Sequence, residues 1–184
     1  MEIRKLLTVA AVTLSFVATG ALAQDKAKMQ AEVRAKAQQS LNDFYKANPA
    51  LKAAVQKAPG YAVFSTYGFS FLLGGAGGKG VVHNNKTKKD TFMELGAASA
   101  GLQIGAEEER YLFVFKDAGA MQRFIDSGWV ATTEGGAGAG AGKTSSGGTA
   151  GLFTGGEVYS LTKKGFQASG NVGGLKVWKD KDLN

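Results

Sequence analysis

The chain has no cysteine, two prolines and a single histidine, set against 27 glycines in 184 residues. Without cysteine there is no disulfide, no thiolate nucleophile and no attachment point for a lipoprotein anchor, so the fold must be held by packing. The lone histidine, His83, lies in "VVHNNK", where its neighbours offer only amides, and this reads as a turn histidine with no metal partners. Scarce proline beside abundant glycine is not the composition of a disordered linker here, because aromatic and β-branched residues run all through it. Nucleophile elbows and carboxylate pairs at catalytic spacing are missing from the pattern as well. The acidic run Glu107-Glu108-Glu109 would point its side chains apart on an extended chain and reads as a solvated turn. No catalytic residue, metal ligand or cofactor is assigned, and the chain reads as a non-enzyme.

What is present begins with "MEIRKLLTVAAVTLSFVATGALAQ". Arg4 and Lys5, an apolar run from Leu6 to Val17 and the small-residue ending Ala21-Leu22-Ala23 form the layout of a secretory signal, with cleavage expected after Ala23. The expected division is a signal over 1–23 and one domain over 24–184, exported to the periplasm and peripheral to a membrane. Cleavage removes Glu2, Arg4 and Lys5, which takes the formal charge from +7 to +6. That sign favours anionic partners, and export places nucleic acid and nucleotides out of reach.

Residues 25–47 are strong helix formers, with Met29, Val33, Ala37, Leu41 and Phe44 recurring on one face and Lys28, Glu32 and Lys46 on the other. Pro49 opens a second short helix that Pro59-Gly60 stops, so the helical part is expected over 25–58 and a β-rich body over 60–180. From Gly60 the period changes to two. "YAVFSTYGFSFLLGG" places Tyr61, Val63, Tyr67, Phe69, Phe71 and Leu73 on one alternating set. "KGVV" and "DTFMELGAASAGLQIGAE" flank "HNNKTKK", a hairpin tip. "RYLFVF" is a strand, and "KDAGAMQRFIDSG" is a helix capped by Asp117 and closed by Gly128, burying Met121, Phe124 and Ile125. "GEVYSLT", "FQASGNVGG" and "LKVWKD" close the chain, with Lys163-Lys164-Gly165 as a tight turn. The class expected is α+β: a mostly antiparallel, barrel-like sheet with N-terminal helices and one helix inserted between strands.

The run "AGAGAGKT" at 137–144 has the outline of a phosphate loop, which requires an apolar strand before it and a helix opening at Lys143. "VATTEGG" precedes it and "TSSGGTAG" follows, so neither requirement is met. The run reads instead as a strand or loop, with alanines on one side and glycines on the other, and no nucleotide is expected.

Several segments together resemble one family. "SLNDFYKANPALKAAVQKAPGYAVFST" (40–66), "FSFLLGGAGGKGVV" (69–82), "GLQIGAEEERYLFVFKDAGAMQRFIDSGW" (101–129) and "YSLTKKGFQASGNVGG" (159–174) are similar to blocks of the SYLF family, the Gly101–Ala106 stretch most specifically. The resemblance covers roughly 40–178. It implies a β-rich domain that binds membrane lipids, with an N-terminal amphipathic helix taking part. Ala100 and the Gly/Ala run at 135–142 depart from the family pattern, and the actin contact of its eukaryotic members is not carried over. The function expected is non-catalytic binding of anionic phospholipid or a membrane surface through basic residues: Lys28, Arg34 and Lys36 on the first helix, Lys86, Lys88 and Lys89 at the hairpin tip, and Lys163 and Lys164. A second class, a structural envelope protein that self-associates or binds a protein through its glycine-rich β surface, is kept beside it.

Overall fold

A computed structural model describes residues 3–66, 77–97, 109–130, 154–162, 165–168 and 175–184, with side-chain surroundings from residue 23 onward. Helix α1 (Ile3–Ala47) carries the predicted apolar stripe. Val33, Ala37, Leu41 and Phe44 are all buried, docked on the sheet, with Ser40 buried beside them, while Arg34, Gln38, Gln39 and Asn42 are exposed. The helix stops where Pro49 cannot continue it. After that break α2 (Ala50–Lys57) buries Leu51 and Val55 on the same face.

Among the described residues eight strands follow as β1 (Gly60–Ser65), β2 (Gly77–Asn84), β3 (Asp90–Ala97), β4 (Glu109–Phe115), β5 (Trp129–Val130), β6 (Gly156–Thr162), β7 (Gly165–Ala168) and β8 (Leu175–Lys179). They form one sheet in the order β5-β8-β3-β2-β1-β4-β6-β7, antiparallel at each pairing and curled into a half-barrel. Helix α3 (Ala118–Ser127) lies between β4 and β5 in the chain. The fold is α+β, as the alternation of patterns implied.

Both faces of the sheet are covered, which changes how its strands read. Val63, Val81, Phe92, Leu112 and Tyr159 pack under α1 and α2. Ala62, Phe64, Met93, Phe113 and Val158 pack on the opposite face with Met121 and Phe124 of α3. One buried face would give alternating burial; here Tyr111 to Phe115 are buried without interruption. Asp117 caps α3, accepting the Ala120 N–H at 2.6 Å, and Gly128 ends it at φ 69°. The glycines of β2 let strands close tightly: a Cβ at Gly80 would collide with the Val63 carbonyl and the Phe64 ring.

The last residues brace α1 against the sheet. Asn184 exchanges hydrogen bonds with the Phe92 backbone at 2.8 and 3.0 Å, and Gln30 of α1 donates to the Leu183 carbonyl at 2.7 Å. Beneath them the buried Asp180 receives Lys79 Nζ at 2.5 Å, and Lys79 also reaches Glu94 at 2.9 Å. Burial alone would lower the Lys79 ammonium, but hydrogen bonds and charge from Asp180 and Glu94 outweigh it and hold it above its ordinary value.

The Gly/Ala run at 135–142, Lys143 and the Gly101–Ala106 block lie outside the described residues, as do Tyr67, Phe69, Phe71 and Leu73.

Candidate ligand-binding site at the α1 end of the sheet

The register of β1, β2 and β3 assembles a polar row. Tyr61 pairs with His83, and His83 pairs with Asp90, so three side chains from three strands stand side by side on the face that α1 covers. The next row inward, Val63, Val81 and Phe92, is its apolar floor. Arg34 comes down from α1, its guanidinium 4.8 Å from the Phe92 ring centroid.

Asp90 organises the group. One carboxylate oxygen accepts from Arg34 Nε at 2.8 Å, and the other meets His83 Nδ1 at 2.7 Å. A carboxylate at that distance fixes the proton on Nδ1, which leaves Nε2 as the working nitrogen. The Tyr61 ring lies 5.2 Å from the His83 ring. Its phenol is pushed up to about 12, first by burial and then by Tyr45 and the Asp90 charge, so it stays neutral. His83 is therefore a strand residue in a bonded pair and not the turn residue its sequence neighbours suggest.

Between α1 and this row is a cavity of about 360 Å³, bounded by Arg34, Ala35 and Gln38 of α1 and by Tyr61, Val81 and His83 of the sheet. Arg34, His83 and Asp90 bring charged and polar groups to its lining, and Ala37, Leu41 and Val81 bring apolar ones.

The hairpin tip beside the row is built rigidly. Asn84 Oδ1 accepts the Lys86 and Thr87 N–H groups at 3.0 Å each, and Lys88 takes a left-handed φ of 58°. Asn85 then clamps the tip to α2, donating from its amide to the Val55 carbonyl at 2.7 Å and the Ala58 carbonyl at 2.8 Å. Lys57 lies between those two carbonyls in the chain, so exposed Lys57, Lys86, Lys88 and Lys89 gather at one corner.

Of the basic residues expected from sequence, Arg34, Lys86, Lys88 and Lys89 come to this end. Lys28 stands exposed on α1, and Lys36 is paired with Glu32 at 3.2 Å. Lys163 and Lys164 lie outside the described residues. Sequence reasoning missed Lys57, Tyr61, Asp90 and the pairing of His83. The hairpin itself held the signal, since closing "HNNKTKKD" at its tip sets His83 opposite Asp90. Among the described residues no group of acidic and histidine side chains is arranged to hold a metal ion, and no helix is long and apolar enough to cross a membrane.

The chain is 38% identical over 135 residues to "Beta cell expansion factor A" of Aeromonas veronii. The match takes in 73% of this chain and 51% of that protein, so the chain spans about half the length of the curated relative it matches. No family model matches the chain.

Proposed function

We propose that this is a non-catalytic protein of the bacterial periplasm that binds anionic phospholipid at a membrane surface, and that it belongs with the SYLF-like lipid-binding domains its sequence resembles. The observation that carries the reading is the clamp at Asn85, which gathers Lys57, Lys86, Lys88 and Lys89 on a fixed backbone. Basic side chains near an anionic surface contribute about 1 kcal/mol each, falling off over a Debye length of about 8 Å at physiological salt. Three or four at one corner support reversible, salt-sensitive attachment.

The apolar stripe of α1 is occupied by the sheet, with Phe44 and Val33 at 0% and 1% exposure, which favours attachment by charge over insertion of that helix. Export is proposed from the leader pattern. N-terminal sequencing of the exported protein should begin at Gln24; Met1 retained in the soluble periplasmic fraction would contradict it.

The test of function is flotation of residues 24–184 with vesicles. Binding is expected to phosphatidylglycerol or cardiolipin and not to phosphatidylcholine, with release as salt rises from about 0.05 to 0.5 M. Equal binding to neutral and anionic vesicles, insensitive to salt, would refute the electrostatic reading.

A further inference from the structure

A pocket for one molecule is a separate property from attraction to a surface, and the cavity beneath Arg34 has the features of one. Ligand sites run from about 300 to 1,000 Å³, with apolar walls and a few converging polar groups. This cavity, at about 360 Å³, is at the small end of that range.

Its charges select the ligand. Arg34 uses Nε on Asp90, which leaves its two terminal nitrogens as donors, and His83 uses Nδ1, which leaves Nε2. The charges of Arg34 and Asp90 cancel. A monoanion facing the Arg34 donors adds a single negative charge to that balance. A dianionic phosphate would leave surplus negative charge beside Asp90. The groups facing His83 are Asp90 from β3, Arg34 from α1 and the neutral phenol of Tyr61 from β1. The walls also include Ala37, Leu41 and Val81, which suit an aliphatic tail, while the Gln38 amide donates to Asn42 Oδ1 at 3.2 Å.

We propose that this cavity binds one molecule of a medium-chain aliphatic carboxylate, its carboxylate between Arg34 and His83 and its tail along α1.

Because the chain has a single histidine, the His83 ring gives an unambiguous magnetic resonance signal in a protein carrying no histidine tag. The probe is decanoate, titrated below the concentration at which it forms micelles. The expected result is a saturable one-to-one shift of the ring signals, with no such shift from decanol or decyltrimethylammonium. Arg34→Gln should weaken the response about tenfold or more, the worth of one charge-assisted hydrogen bond. Ala35 is exposed on α1 at the cavity wall, so Ala35→Leu should obstruct the cavity, abolish the response and leave the melting temperature unchanged. That variant keeps the test decisive if Arg34→Gln fails to fold. Ala35→Leu should also float with anionic vesicles as the parent does. Unmoved His83 signals, an equal response to decanol, or a response retained in Ala35→Leu would each overturn the proposal. A response to phosphatidylglycerol vesicles alone would overturn it too, while leaving the surface-binding function intact.

Discussion

Replacing Asn85 with alanine tests whether the basic corner is a built feature. The Asn85 amide donates to the carbonyls of Val55 and Ala58 at 2.7 and 2.8 Å, at a helix end where carbonyls have no partner within the helix. Each such hydrogen bond is worth about 1 kcal/mol net. Asn85 is half-buried, so water recovers part of the loss, and Asn85→Ala should cost about 1–2 kcal/mol. For a chain of this size that lowers the melting temperature by about 2–8 °C. The backbone bond from Asn85 N–H to the Pro59 carbonyl at 2.9 Å survives the change, so the hairpin should still form. Asn85→Asp should lose more than alanine does, because it turns a carboxylate toward two carbonyl oxygens. Thermal melts followed by circular dichroism give the magnitude, and vesicle flotation should show a fall of a few-fold as the lysines lose their fixed arrangement. A melting temperature within about 1 °C of the parent would mean that the amide clamps nothing.

Further outcomes follow from burial and charge. Phe44 is 0% exposed and meets the Phe166 ring edge-on, so Phe44→Ala should cost about 3–5 kcal/mol in a urea melt; a loss under about 1 kcal/mol would mean that α1 does not dock on the sheet. Tyr61 goes from 10.0 to about 12 and Lys79 is held above 10.5, so both bind their proton more tightly folded than unfolded. Their stabilisation is therefore full below the unfolded values and is lost as pH rises through the folded ones. Chemical denaturation should show stability falling from about pH 10 to 12, and a flat or rising profile would contradict this.

Much of the fold was legible because its local signals agree with one another. The three-to-four-residue recurrence from Met29 to Phe44, Pro49, Pro59-Gly60, and the caps at Asp117 and Gly128 each mark an element boundary that local chemistry determines. The continuous burial of β4 was harder to read, since "YLFVF" has the same letters whether one face is covered or two. The site was least legible. The residues around His83 in the chain are amides, but its partner is Asp90 across the hairpin, which in turn holds Arg34 on a helix far earlier in sequence. Only strand register joins Tyr61, His83 and Asp90; the hairpin turn sets the His83–Asp90 part of it, whereas Tyr61 comes from a strand far earlier than that turn. The lysines at 86, 88 and 89 were visible as a cluster, but their union with Lys57 rests on the Asn85 amide.

The measurement that tests the central claim most directly compares two triple variants of equal charge. Lys86, Lys88 and Lys89→Gln removes three charges from the clamped corner, and Lys176, Lys179 and Lys181→Gln removes three exposed charges near the C-terminus. At about 1 kcal/mol for each lysine near the surface, the corner variant should bind phosphatidylglycerol vesicles about 100-fold more weakly than the parent. The C-terminal variant should lose only a few-fold, through long-range attraction. Equal losses in the two variants would show that net charge alone drives binding, and undiminished binding by the corner variant would place the membrane contact elsewhere on the protein.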